Sequence, residues 1–182
     1  MSLSAVQPFL FATSGAWIEV RDGNDSGRAL FDRHYSRYRY ADGRKPLLFV
    51  GPGEKMVLLT PCARALFVWR KFKSADHQEG VNCAVFRNEG AGLSSDLISE
   101  ADILAWERWP GERHYTYIND RKIRRKRDPG RCFRKAGWKP VLDENGKPKR
   151  TKARKLLIFE ILPEFSGSSE SVTSDEIENQ HP

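Results

Sequence analysis

Arg87-Asn88-Glu89-Gly90-Ala91-Gly92 follows the apolar run VNCAVF and precedes the helical pattern LSSDLISEADILAW. A strand feeding such a loop into a helix presents backbone N–H groups at the helix's positive end. Glycines without a Cβ let an anion approach that backbone closely. Diphosphate binding is the chemistry this arrangement suits, with Arg87, Asn88, Gly90, Ala91 and Gly92 as the holding residues. An ordinary strand-to-helix turn has the same appearance. The stretch matches neither the G-x-G-x-x-G of dinucleotide folds nor the Gly-Lys-Ser/Thr of P-loops.

A second chemistry is written in charge. From Arg121 to Lys135, nine of fifteen residues are Lys or Arg, and GKPKRTKARK (146–155) forms another cluster. Arg121, Lys122, Arg124, Arg125, Lys126, Arg127 and Arg131 are the candidate contacts to a phosphate backbone, and counterion release would make such binding salt-dependent. Solvated basic faces look similar. The net charge is +7, yet residues 163–182 hold five acids and no Lys or Arg, leaving +12 on residues 1–162. That Ser- and Glu-rich tail is expected to be disordered, as a solubilising tail or as a screen against polyanions.

These residues need a scaffold. AWIEVR (16–21) reads as a strand and RALFDRHYSRYRY (28–40) as a helix. Residues 46–71 contain three apolar runs broken by G-P-G and T-P, which predicts consecutive strands in a meander. VNCAVFR (81–87) is a strand. The helix 93–109 aligns Leu93, Leu97, Ile98, Ala101, Leu104 and Ala105 on one face, and Pro110-Gly111 ends it. HYTYIN (114–119) is a strand and DPGRCFRKAGW (128–138) a short helix. KPV (139–141) and LLIFEIL (156–162) bracket the turn DENGK as a hairpin. Trp69, Trp106 and Trp109 are expected to be structural, and Cys83 and Cys132 buried filler.

At 182 residues the chain is large enough for one domain with a real core, placed at 1–162. No apolar run reaches the roughly 20 residues of a membrane span. MSLSAVQPFLFATSGAW lacks a basic n-region, which speaks against a secretory signal. Three cysteines without C-x-x-C spacing argue against a disulfide framework or zinc site and fit a reducing cytoplasm. The four histidines are scattered, so no metal-ligand set is read.

With these motifs in order, the chain resembles the Gcn5-related N-acetyltransferase (GNAT) superfamily, over about residues 16–162. Its members place an R/Q-x-x-G-x-G/A loop between the fourth strand and a long helix and grip the pyrophosphate of acyl-coenzyme A there. DPGRCFRKAGWKPV looks like the family's later helix. The resemblance implies an α/β fold of the α+β kind, a mostly antiparallel mixed sheet flanked by helices, with acetyl-CoA or a related acyl-CoA as donor. One departure stands out: many members carry a tyrosine four residues before the glycine of that helix, as general acid for the leaving thiolate. Here it is Phe133, which has no hydroxyl.

HYS (34–36), FRN (86–88) and YTYINDRKIR (115–124) look like the Mom-type phage DNA-modification proteins, an outlying branch that modifies adenine in duplex DNA. That resemblance makes His34, Tyr35, Arg87 and Asp120 the important positions, with double-stranded DNA as partner and a host cytoplasm as location. Tyr117 and Tyr115 offer the hydroxyl that Phe133 lacks. The adenine amine is a poor nucleophile and needs a base and exact positioning, for which Asp120 and His34 are candidates. A base in a duplex must be flipped out, and Tyr35, Tyr38 or Tyr117 offer stacking surfaces for it. Two alternatives stay open: a conventional N-acetyltransferase acting on a small amine or protein, and a non-catalytic GNAT-like module that binds nucleic acid. The oligomeric state is open too, a dimer being one option.

Overall fold

The computed structural model describes residues 15–38, 40–122 and 128–163. Most of the acidic tail therefore lies outside the described residues, as do Arg124, Arg125, Lys126 and Arg127. Seven strands form one sheet: β1 (Ile18–Val20), β2 (Glu54–Leu59), β3 (Ala65–Lys71), β4 (Val81–Asn88), β5 (His114–Ile118), β6 (Lys139–Pro140) and β7 (Leu157–Ile161). Three helices accompany it: α1 (Asp25–Asp32), α2 (Ser94–Arg108) and α3 (Arg131–Lys135). The strand order is β1-β2-β3-β4-β5-β7-β6, and every pairing is antiparallel except β4 with β5. This is the expected mixed α/β architecture.

Side-chain alternation sorts the sheet into two faces. Met56, Leu58, Ala65, Phe67 and Trp69 pack with Leu97, Ile98, Ala101 and Ala105 of α2 and Phe133 of α3. Val57, Leu59, Leu66 and Val68 pack with Leu30 of α1 on the opposite face. Burying each of these large aliphatic side chains contributes about 1.5–3 kcal/mol.

One irregularity decides what β4 shows to each face. Val68 pairs with Val85 but Trp69 pairs with Cys83, so Ala84 is an extra residue in β4. This β-bulge reverses the alternation. Val81 and Cys83 belong to the α2 face, whereas Val85 belongs to the α1 face. The parallel pairing of β4 with β5 runs only from Val81–His114 to Cys83–Thr116 and stops at the bulge. Beyond it the two strands no longer pair.

Several elements differ from the sequence reading. α1 begins earlier, because Asn24 Oδ1 caps it by accepting from Gly27 N at 3.0 Å. It ends at Asp32, so His34 and Tyr35 lie in the turn that follows rather than on the helix. There His34 Nδ1 bonds the Ser36 hydroxyl and accepts from Ser36 N, local bonds that compete with helix continuation. Residues 46–50 form no strand. Asp22 Oδ1 accepts from both Phe49 N and Val50 N, which removes those amides from any ladder.

α2 is less cleanly amphipathic than its sequence promised: Leu93 is 68% exposed, and Asp102 is buried within the apolar face. α3 is shorter than 128–138, bounded by left-handed glycines at Gly130 and Gly137. The turn at 143–147 forms as expected, with Asp143 Oδ1 accepting from Asn145 N and Lys147 N. The closing hairpin pairs β6 with β7. β7 also inserts between β6 and β5.

Candidate functional site

A cavity of about 980 Å³ opens on the α1 side of the sheet, beside the point where β4 and β5 stop pairing. That volume lies at the upper end of the roughly 300–1,000 Å³ typical of small-molecule sites. Its wall includes His34, Tyr35, Ser36, Arg37 and Tyr38 from the turn after α1 and Asn82, Cys83 and Ala84 from β4. Tyr117, Asn119 and Lys122 line it from β5 and the loop beyond, and Arg154 and Leu156 from the approach to β7. Three of the four expected catalytic residues, His34, Tyr35 and Tyr117, thus meet in one cavity, joined by Lys122 of the expected nucleic-acid set.

The His34 and Tyr35 rings lie 4.4 Å apart, tilted by 33°. Burial and the nearby Arg87 charge hold the His34 imidazole down to about 4, against partial relief from the Phe86 backbone. His34 is therefore neutral at pH 7, and the same causes make it a weaker base than free imidazole. Tyr35 is 43% exposed at the cavity mouth. Burial of its phenol nevertheless pushes its pKa up, opposed by a hydrogen bond to the Asn119 backbone.

Tyr117 donates its hydroxyl to Asp76 Oδ1 at 2.6 Å. Burial first, and this bond second, raise its pKa well above the phenol value. Tyr117 thus keeps its proton and serves as a fixed ring. Tyr115, the other proposed hydroxyl source, is fully buried with its Oη unpaired and does not line the cavity.

Asn82 is a wall residue that sequence reasoning missed. It is 4% exposed, and its Nδ2 donates to the Tyr115 carbonyl at 3.3 Å. That bond fixes the amide and leaves Oδ1 as an acceptor at the cavity wall. Nothing in the local sequence marks this residue, since a single Asn in a strand is unremarkable until the parallel pairing ends beside it.

The loop of residues 87–92 is arranged differently from expectation. Asn88 Oδ1 accepts from Gly90 N at 3.0 Å and from Ala91 N at 2.9 Å. Its Nδ2 donates to Gly92 O and Ser94 Oγ. Two of the expected anion-holding amides are therefore spent inside the loop. Leu93, at the N-cap of α2, supplies no side-chain acceptor. Asp96 N already donates to the Leu93 carbonyl at 3.1 Å, so the first-turn amides left for an anion are those of Ser94 and Ser95. A Cβ added to Gly92 would meet nothing within 4 Å, so the approach to this helix end is open.

Arg87 is taken up by the loop's own carboxylate. Its Nε donates to Glu89 Oε1 at 2.6 Å, and its Nη1 to the Arg33 carbonyl at 2.7 Å. Arg33 grips the same carboxylate with two bonds of 2.8 Å. Hydrogen bonds from Arg33 and then Arg87 hold the Glu89 carboxyl down to about 2. Because Arg33 also lines the cavity, this cluster joins loop and cavity. The signal for it was present: a carboxylate two residues after Arg87 in a loop read as anion-binding.

Asp120 stands outside the cavity wall. Arg150 binds both its oxygens, at 2.6 and 3.3 Å, and this lowers its pKa. A carboxylate so held is a weaker base. Arg121 is exposed, and Arg131 pairs with Asp128 at 3.5 Å. Phe133 is buried against Phe86 and Trp138 at 6.0 and 5.0 Å, so its ring is part of the core. Among the described residues no group of three or more His, Cys, Asp or Glu is placed to hold a metal ion, and no helix is long and apolar enough to cross a membrane. Compared with protein-family models, curated proteins and solved structures, the chain matches none.

Proposed function

We propose that this chain is a GNAT-like transferase acting on the exocyclic amine of a nucleobase, adenine in DNA being the best fit. The observation that carries the reading is the neutral His34 in a cavity walled by Tyr35, Tyr117 and Asn82 and joined through Arg33 to the loop before α2. Aromatic walls suit a flat heterocycle, and Lys122 and Arg154 around them suit its phosphates, whereas Arg33 and Arg37 would join only by leaving Glu89 and Asp32. Support for the superfamily resemblance comes from the Arg87–Gly92 loop lying between the fourth strand and the longest helix, next to the β4–β5 parting.

The residues fit an acyl-coenzyme A in part. The open backbone at Gly92 and the uncapped first turn of α2 would hold its phosphates, with Arg64, which donates to the Glu89 carbonyl, close by. Arg87 would join them only by leaving Glu89. When bound, such a donor supplies a thioester carbonyl as electrophile.

The chain's own residues then have separable tasks. Asn82 Oδ1 accepts one N–H of the base's amino group and orients its nitrogen. Towards a bound thioester, His34 would take the proton that the amine loses and hand it on to the thiol that leaves, so that the proton is conserved. Tyr35 and Tyr117 hold the ring in plane. Asp120 is held by Arg150 outside the cavity wall rather than acting as base.

Mass spectrometry of nucleosides from plasmid DNA tests the reading, comparing cells that express the intact chain with cells that express His34→Ala. A heavier adenosine found only with the intact chain is the expected result, and its mass names the added group. Unmodified DNA alongside soluble, folded protein would remove DNA modification as the function in that host. A small-amine or protein substrate would then lead.

A further inference from the structure

The turn after α1 carries more than the cavity wall. Residues 28–45 hold six Lys or Arg against two Asp, interleaved with Tyr35, Tyr38 and Tyr40. Neither expected DNA-binding cluster includes this stretch. Tyr38 is 67% exposed and lines both the large cavity and a small one of about 80 Å³ beside it, so it stands on the ridge between them. A lone exposed tyrosine would mean little. This one is braced: its ring meets Tyr40 at 4.9 Å and 82°, and the Arg44 guanidinium sits 4.3 Å over Tyr40. Asp42 holds Arg44 in turn, at 3.4 Å. The high exposure leaves ring surface of Tyr38 open to solvent.

We propose that Tyr38, braced by Tyr40 and Arg44, is a stacking post on which a nucleic-acid strand rests an unstacked base at the lip of the cavity. The inference rests on the reading that the partner is nucleic acid. The chemistry is that of single-strand binders, in which aromatic faces take successive bases and cations follow the phosphates. A base extruded into the cavity leaves a gap in its stack, and a braced ring at the lip can meet the exposed neighbour. Exposed Lys45 lines the small cavity together with Tyr38 and supplies a cation near the ring, while Arg37, which lines both cavities, is paired with Asp32 at 2.8 Å. An acidic peptide would answer to the charge but leave the ring unused.

Fluorescence anisotropy with a labelled single-stranded oligonucleotide tests this without any reaction. Tyr38→Ala is expected to weaken binding roughly tenfold, and Tyr38→Phe to keep it, because the ring and not the hydroxyl does the stacking. Neither should alter the salt dependence. Lys45→Ala should flatten the log–log salt slope by about 0.7. Heparin, a polyanion without bases, should bind wild type and Tyr38→Ala alike. Oligonucleotide binding unchanged in Tyr38→Ala would overturn the proposal, as would an equal loss towards heparin. A wild-type chain that binds no oligonucleotide overturns both this inference and the nucleic-acid reading. Tyr38-dependent binding without any modified nucleoside leaves the post standing and removes only the modification chemistry.

Discussion

His34 and His114 sit on opposite sides of one sheet, each against aromatic rings, and they are built for different work. His114 is fully buried, with Trp69 at 4.5 Å and Trp106 stacked at 4.6 Å. Its Nδ1 meets Asp102 at 2.7 Å, and Asp102 accepts in addition from Trp138 Nε1 at 2.8 Å. His114, Asp102 and Trp138 hold one another, with His114 Nε2 buried and without a partner, and the large cavity does not reach them. His34 has Tyr35 beside it and a serine hydroxyl on Nδ1, faces the cavity, and has a cation as its charged neighbour. A histidine anchored by a buried carboxylate organises a core. A histidine kept neutral by burial and an arginine keeps its lone pair unprotonated at pH 7, as a weaker base than free imidazole.

The widest separation between the two should come from the reaction itself. His34→Ala is expected to lower the rate of base modification about 10²–10⁴-fold while leaving unfolding by urea nearly unchanged. A variant that keeps its rate, or that unfolds with the loss, would dissolve the contrast. Next in size, Asp102→Leu leaves the ring N–H of His114 and the indole N–H of Trp138 without an acceptor. At about 1–3 kcal/mol for each buried unsatisfied group, the expected loss of stability is about 3 kcal/mol. A loss below about 1 kcal/mol in denaturant titration would mean that the network is ornamental.

The smallest effect is the most diagnostic. In the folded chain His34 should titrate near 4, against an ordinary value of 6.5. The unfolded chain therefore binds the proton more readily between those values. The stability contributed by neutral His34 is present above about pH 6.5 and is lost as the pH falls towards 4. Imidazole resonances followed by NMR against pH give the midpoint directly, and a midpoint at 6 or above would refute the burial argument. His34→Ala should flatten the stability profile in that window and nowhere else.

Much of the scaffold was legible because its signals are local. β3, β4 and β5 are short apolar or alternating runs bounded by turn residues, and α2 carries helical spacing with Pro110-Gly111 behind it. What escaped depends on partners distant in sequence. Residues 46–50 looked like a strand, but Asp22 takes their amides. Asp102, which the apolar spacing of α2 does not single out, is explained only by its bonds to His114 and Trp138. The site divides the same way. His34, Tyr35 and Tyr117 were named from type and motif, while Asn82 and Arg33 emerged only from tertiary contacts, and Glu89, although close in sequence to the loop's arginine, was passed over. The loop's amides were misjudged because an Asn that folds back on its own turn reads in sequence like any other loop residue.

The extra residue at Ala84 makes the length of β4 a functional quantity. Because alternation reverses there, Arg87 shares a side with Arg33 and the cavity, while Asn82, five positions earlier, does so too. An odd spacing on an unbroken strand would send them to opposite sides. Deleting one residue from this strand would leave almost every side chain of the site present and still take the site apart. For this chain, insertions and deletions in β4 are a harsher test than substitutions.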